Sequence, residues 1–421
     1  MNKDNTQHAL VPRLRFPEFR GKPLYSICLG DVTAESKIRN GDEFSAASVM
    51  GVRKGEGIVP MEERLVASDI SRYKLVQKNW FAYNPMRLNI GSIARHHHDD
   101  DILVSPDYVV FRCLEEGAAP ELSPDYLDQF RESSNWDAFV AEAGDGGVRV
   151  RIYYSRLAEL RLAVPDIAEQ QKIAGSLGSL DDLIAAEGRK LEALRDHKKG
   201  LMQHLFPREG ERQPRLRFPE FFDAPEWTEY RTECVCERIM DGTHFSPQST
   251  DGPRPYLTSK NVRNGFLDLS TVTFISEEDH REIYARCPVQ KHDVLLTKDG
   301  ASTGNCVINN LDYEFSLLSS VAVLRGKVLK IVPAFLYYTI VSPRYRKQLF
   351  DSIAGQAITR ITLTKLKNYT VVLPDMAEQQ RIADCLTALD TWIAAQAEKL
   401  DALRTHKRGL MQQLFPSPEV S

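Results

Sequence analysis

The sequence predicts two diverged α/β (α+β) blocks separated by two long antiparallel coiled-coil helices, the halves forming a pseudo-twofold internal repeat. Three observations predict it. The stretch Pro165-Asp-Ile-Ala-Glu-Gln-Gln through Lys198-Lys-Gly-Leu-Met-Gln-His-Leu-Phe-Pro207 returns at a constant offset as Pro374-Asp-Met-Ala-Glu-Gln-Gln through Lys407-Arg-Gly-Leu-Met-Gln-Gln-Leu-Phe-Pro416. A shorter tag, Pro12-Arg-Leu-Arg-Phe-Pro-Glu-Phe19, returns as Pro214-Arg-Leu-Arg-Phe-Pro-Glu-Phe221. The long blocks between tag and helix barely resemble each other. Fixed connectors with divergent payloads describe a device that holds two unlike readers, which is a binding design before it is a catalytic one.

The helices come first because their signals are sharpest. Asp166 and Asp375 each follow a proline and precede Glu169 and Glu378 by three residues, an Asp version of the capping box. Apolar positions then alternate by four and three: Ile173, Leu177, Leu180, Ile184, Leu191, Leu194, Leu201 and Leu205. The second series is Ile382, Leu386, Leu389, Ile393, Leu400, Leu403, Leu410 and Leu414. A 3.5-residue period marks a left-handed coiled coil. Glu187 and Lys198, with Gln396 and Lys407, interrupt the seam as polar positions that fix register. Pro207 and Pro416 end the runs. Each helix is about 60 Å long at ~1.5 Å per residue. A parallel pair would stretch the connector 208–226 back along that whole length, near its limit of ~3.5 Å per residue. An antiparallel pair asks it only to turn.

The chain then divides into a tag (1–23), a first block (24–164), a first helix (165–207), a linker (208–226), a second block (227–373), a second helix (374–416) and a tail (417–421). Within the blocks a weak skeleton repeats. Val52-Arg-Lys-Gly55 matches Val262-Arg-Asn-Gly265, Val76-Gln-Lys78 matches Val289-Gln-Lys291, Gly91 falls on Gly304 and Arg151-Ile152 on Arg360-Ile361. Asp107–Arg112 and Ser319–Leu324 read as strands, Tyr126–Val140 and Pro333–Phe350 as helices.

Loops rich in Gly, small polar residues and cations recur at matching places in both blocks. Their Arg, Lys, Asn and Gln side chains are the types that read base edges or grip phosphates. The candidates for DNA contact are Arg53, Lys54, Arg87, Asn89 and Arg151, then Lys260, Arg263, Lys298, Asn305, Gln356 and Arg360. For any one of them, solvated turn chemistry is the plainer reading; the recurrence of the whole set favours function.

Bulk properties set limits. A length of 421 residues leaves room for two or three cored domains. A hydrophobic fraction of 42% with 27% charged residues excludes a disordered chain. No apolar run approaches the ~20 residues of a membrane span. The opening Met1-Asn-Lys-Asp-Asn-Thr-Gln-His8 has no hydrophobic stretch, so no secretory signal is expected. Seven scattered cysteines suit free thiols in a reducing cytoplasm. A net charge of −4 gives no basic footprint. Block 24–164 is acidic and block 227–373 mildly basic. A DNA reader with this balance needs partners to supply phosphate neutralisation.

Catalytic motifs are incomplete. Asn84-Pro-Met-Arg87 lacks the second proline and the aromatic residue by which amino-methyltransferases hold adenine, and no Gly-rich loop offers an S-adenosylmethionine site. Gly300–Gly304 lacks the Gly-Lys-Ser/Thr of a P-loop. His96-His-His98 with Asp99-Asp-Asp101 reads as a solvated loop, because adjacent side chains rarely converge on a metal. No catalytic residue and no metal site is expected.

The doubled Pro-Asp-x-Ala-Glu-Gln-Gln helix, the Gly-Leu-Met-Gln repeats and Asp241-Gly-Thr-His244 together resemble the DNA-specificity (S) subunit of type I restriction–modification systems, along essentially the whole chain. The resemblance implies two target recognition domains, each reading one half of a split, asymmetric site in double-stranded DNA. It implies helices that set the gap and dock two methyltransferase (M) subunits, with restriction–translocase (R) subunits joining that core. Chemistry would then belong to the partners, which use S-adenosylmethionine, ATP and Mg²⁺; this chain would carry no cofactor. A coiled-coil scaffold that binds proteins and ignores DNA is the alternative from another class, and a self-sufficient methyltransferase is the third.

Overall fold

A computed structural model describes residues 12–415 except 42, 115–119, 144–150, 250 and 355–359. The chain forms two compact units, Met1–Gly188 with Glu398–Ser421, and Arg189–Ala397. Two long helices, Ile167–His204 and Met376–Leu414, each give one half to each unit.

Both units are built on the same four-stranded antiparallel sheet. In the first its order is Thr33–Ser36, Val109–Cys113, Phe81–Tyr83, Ile93–Arg95. In the second the order is Cys236–Asp241, Val321–Gly326, Val294–Thr297, Cys306–Ile308. Successive side chains of a strand point to opposite faces, and both central strands are buried on both. Val109 and Phe111 enter one core while Val110 enters another. Ala322 and Leu324 face one core, Val321 and Val323 the other. That explains why these strands read as continuous apolar runs. Among the described residues the second unit alone carries a helix of this kind, Glu277–Arg286, opened by Ser276, whose hydroxyl accepts from the Asp279 N–H at 3.1 Å.

The single helices expected over Tyr126–Val140 and Pro333–Phe350 are each two. They run Pro124–Phe130 then Ser134–Glu142, and Pro333–Val341 then Pro343–Asp351. Ser133 and Ser342 break them: each hydroxyl accepts the N–H three residues on, from Trp136 and Tyr345, and so starts a new helix. Pro343 after Ser342 reinforces the break.

The long helices start as the aspartates predict. Asp166 Oδ1 accepts from the Glu169 N–H at 3.0 Å, and Asp375 Oδ1 from the Glu378 N–H at 2.9 Å. The glutamates do not close the box. Each turns instead to an arginine of the neighbouring tag. Arg15 Nε and Nη2 grip Glu169 at 2.8 and 2.5 Å, and Arg217 grips Glu378 at 2.8 and 2.7 Å. All four side chains are at least nine-tenths buried. Arg15 Nη1 also donates to the Lys22 carbonyl, as Arg217 Nη1 does to that of Ala224. The glutamine that follows is equally occupied. Gln170 accepts from the Ser123 N–H and donates to the Glu121 and Pro165 carbonyls. Gln379 repeats this with Val332, Lys330 and Pro374. The repeated tag and the repeated helix start are therefore the two halves of one clasp.

Helix direction is visible inside each unit. In the first, Ile173 and Leu177 share a core with Met411, Leu414 and Phe415, so the start of one helix packs beside the end of the other. In the second, Met202 and Leu205 pack with Ile382 and Leu386. Cross-helix ion pairs follow the same register: Lys407–Asp181 at 2.7 Å in the first unit, Lys198–Asp390 in the second. Two of the four polar seam positions are thus lysines answered by aspartates, while Glu187 meets Lys399 within the first unit. The outer residues of the leucine stripe seal the block cores, a role that the periodicity alone did not distinguish from helix-to-helix packing. The segment 208–226 is likewise pinned: the Leu216 N–H donates to the His204 carbonyl at 2.9 Å.

One acid sensor lies in the first unit. Burial alone would raise the Asp128 carboxyl; the His97 hydrogen bond and the Arg131 and Arg95 guanidiniums outweigh it and pull it from 3.8 to about 2. A depressed carboxyl stabilises the fold fully above its unfolded value, and the benefit disappears as pH falls from about 4 to about 2. Asp128→Asn should cost the first unit about 2 kcal/mol at pH 7. Hydrogen exchange over Ile93–Arg131 measures this, and the gap from wild type should close by pH 2.

Candidate nucleic-acid interface

In the first unit the candidates ride on three loops. Arg53 ends the strand Met50–Arg53, which turns through Gly55 and Gly57, both at φ +77°, into Gly57–Pro60. Positive φ at two positions in so tight a turn requires glycine. Arg53 pairs with Glu56 at 2.7 Å on the surface. Lys54 lies along the second loop, its Cγ 3.4 Å from where a Cβ on Gly91 would be, and Gly91 adopts φ +87°. Arg53, Lys54 and Asn89 line one cavity of about 580 Å³ with Arg131 and Glu132 between the paired helices and Asp137 on the second of them. Arg87 is exposed nearby in sequence but does not line it. The third loop joins through the Ile152 N–H, which donates to the Pro85 carbonyl at 3.0 Å and leaves Arg151 exposed beside the second.

The second unit divides its candidates into outward and inward. Lys260 is exposed and Arg263 half-exposed, with Asp268 3.4 Å from its guanidinium. Arg360 is exposed and 3.7 Å from Asp299. Lys298 is only 1% exposed and lies between Asp241 at 3.3 Å and Asp299 at 3.1 Å. Its ammonium props the loop from inside, with no face toward solvent. Asn305 also turns inward, donating to the Val262 carbonyl at 3.1 Å and tying two loops together. Gln356 lies outside the described residues.

Asp241-Gly-Thr-His244 acquires a structural meaning here. Asp241 anchors Lys298 and lies 3.5 Å from exposed His244. A Cβ on Gly242 would come within 1.9 Å of the Leu317 carbonyl oxygen, so only glycine fits. The Thr243 hydroxyl accepts from the Phe245 N–H at 3.2 Å and closes the turn. A chain of charges thus runs Asp241–Lys298–Asp299–Arg360, from the motif to the exposed arginine.

The histidine run separates. The His96 ring meets the Asp100 carbonyl, while His97 approaches Asp128 at 3.4 Å. Among the described residues, no three His, Cys, Asp or Glu side chains are grouped to hold a metal ion, and no helix is long and apolar enough to cross a membrane. All seven cysteines are free. Sequence reasoning passed over Arg131, Arg195, Lys199 and Arg346, which line the cavities beside the candidate loops. Arg131 lies in the turn between two helices and the other three on helices, and nothing in their spacing separates them from ordinary solvated cations.

Known proteins agree with this architecture. Residues 225–405 match the family described as type I restriction modification DNA specificity domain. The chain is 25% identical over 262 residues to the type I restriction enzyme MjaVIII specificity subunit of Methanocaldococcus jannaschii, a match covering 61% of each chain. It is 33% identical over 122 residues to the EcoBI specificity subunit of Escherichia coli, 29% of this chain and 25% of that one. Its fold is similar to the crystal structure of a type I restriction–modification S subunit from M. genitalium, with a TM-score of 0.61 at 13% identity, covering 97% of this chain and all of that one. The chain is thus similar to type I restriction enzyme specificity subunits, and its residues 225–405 match the type I restriction modification DNA specificity domain.

Proposed function

We propose that this chain is the sequence-reading, non-catalytic subunit of a type I restriction–modification complex acting in the cytoplasm. Each unit reads one half of a bipartite site in double-stranded DNA. The helices set the gap and dock two methyltransferase subunits, and restriction–translocase subunits complete the assembly. The observation that carries this reading is the double construction: one sheet and one Arg–Glu clasp built twice, beneath loops whose residues differ. A scaffold for identical partners would have no need of two divergent loop sets.

Arg53, Lys54, Arg87, Asn89, Arg151, Lys260, Arg263 and Arg360 are the side chains we assign to DNA contact; Lys298 and Asn305 shape the second loop set from within. S-adenosylmethionine, ATP and Mg²⁺ act on the partner subunits. The decisive experiment maps modified bases in genomic DNA from cells with and without the chain. A split motif that disappears with the chain supports the reading, whereas partner assembly without any motif would make the chain a protein scaffold. Methyl transfer by the purified chain alone would show that it is itself an enzyme.

The ruler has its own test. Deleting seven residues from each long helix shortens both by about 10 Å, roughly three base pairs of duplex. The tolerated gap should contract by about that much, with both half-sites unchanged. An unaltered gap would mean the spacing is set elsewhere.

A further inference from the structure

The two units differ where the end of one long helix passes the paired helices of its own unit. In the second unit this place is a cleft of about 690 Å³, with Arg195, Lys198 and Lys199 on the long helix, Arg346 opposite and Asn264 at the rim. Its one carboxylate, Asp390, is taken by Lys198 and the Tyr338 hydroxyl. Arg346 donates from Nη2 to Asn264 at 3.1 Å, while its Nε is buried without an acceptor among the described residues. Arg195 reaches only Glu192, on the solvent side, and Lys199 has no ion-pair partner among the described residues.

The first unit closes the same place with acid. Lys407, the repeat counterpart of Lys198, is held by Glu132 and Asp181, each at 2.7 Å. The helix breaks at Ser133 and Ser342 align the copies residue for residue. Glu132 then stands where the second unit has Val341, and Asp137 where it has Arg346. The first exchange removes one negative charge, and the second replaces a negative charge with a positive one. One copy is therefore neutralised internally, and the other is left with cations in excess and a buried N–H lacking an acceptor among the described residues.

We propose that the second unit's cleft grips phosphates of the DNA backbone through Arg195, Lys199 and Arg346, and that the first unit has no equivalent grip. The inference rests on the DNA-reading function proposed above. Asn264 and Gly265 form one wall of the cleft and belong to the candidate loop that begins at Arg263. A strand whose bases met that loop would bring its adjoining phosphates to the cations. Guanidinium and ammonium groups facing a cavity with one occupied carboxylate suit a phosphate oxygen. The lopsided grip also answers the charge balance of the chain, acidic in one block and basic in the other.

The test measures binding of the assembled complex to a random-sequence duplex across salt concentrations. Each phosphate contact contributes about 0.9 to the slope of log K against log salt. R195Q/K199Q, which alters only exposed side chains, should lower the slope by about 1 to 2, and adding R346Q should lower it further. R195K/K199R should retain it. The counterpart pair in the first unit, R404Q/R408Q, should leave it unchanged. The methylated motif should stay the same in every variant. An unchanged slope in R195Q/K199Q, or an equal loss in R404Q/R408Q, would overturn the proposal. So would loss of partner assembly at constant slope, which would give the cleft to a protein segment. Protection of Lys199 from acylation by inorganic phosphate, at matched ionic strength and without DNA, would assign it to a free anion and overturn it too. A wild-type complex with no motif would instead refute the DNA-reading function itself.

Discussion

Arg217→Ala is expected to destabilise the second unit by about 3–5 kcal/mol, because it strands a buried carboxylate. Glu378 has a side chain only 1% exposed, and its two oxygens are held by Arg217. Removing one partner of a buried, bidentate pair leaves a charge that water does not reach. Arg217 also donates to the Ala224 and Pro225 carbonyls, so the tag loses its anchor along with the helix start. The double variant Arg217→Met/Glu378→Leu should recover most of the loss, since a well-packed apolar pair often replaces a buried ion pair at little cost. Hydrogen exchange across Thr228–Arg231 and Met376–Leu389 reports the second unit directly, without assuming that the whole chain unfolds in one step. Full protection in Arg217→Ala would show that the clasp is incidental. Arg15→Ala should do the same in the first unit, where Glu169 is equally enclosed.

Exchanging residues 24–164 for the corresponding block of a relative is expected to change one half of the methylated motif and leave the other untouched. The boundaries suit such a transplant. Tyr25–Cys28 pairs with Arg161–Val164 in an antiparallel ribbon, so the block begins and ends side by side. The second block closes in the same way, Thr228–Arg231 on Thr370–Leu373. Within each block the base-reading candidates lie on loops above a sheet that both copies share. Individual base contacts are worth about 1–3 kcal/mol in discrimination, so a new loop set should replace one half-site outright. Alteration of both halves would show that the blocks do not read independently. Modified-base sequencing distinguishes the outcomes.

The features legible in the sequence were those with a period or a duplicate. Two long helices and the twice-built blocks followed from the 3.5-residue stripe and the paired strings, and the antiparallel sense from the short connector 208–226. The Arg15–Glu169 clasp was harder, because nothing periodic links residues separated by more than a hundred positions. Its one signal was joint duplication: tag and helix start recur together because each completes the other. Lys298 misled for a related reason. A lysine in a Gly-rich loop resembles a phosphate ligand, but sheet pairing brings Asp241 to it from a distant strand and turns it inward. The helix breaks at Ser133 and Ser342 were readable as capping serines, yet the apolar pattern running through them masked the stop. The contrast between Asp137 and Arg346 required the fold, since only the aligned breaks show that they occupy the same place.

The distribution of the chain between its two units bears on biosynthesis. Arg189–Ala397 is contiguous, so a ribosome delivers every residue of that unit before the last helix is finished. The other unit joins the first 188 residues to the final stretch: Leu14 bonds the Gln413 carbonyl, and the Phe415 ring sits against Tyr126 and Phe130. Met1–Gly188 is thus translated before Arg189–Ala397, but its unit is completed after it. Until residues 413–415 emerge, a nascent polypeptide leaves Tyr126 and Phe130 without the Phe415 ring, and a stop codon placed before Met411 would spare Arg189–Ala397 while leaving the first unit unsealed.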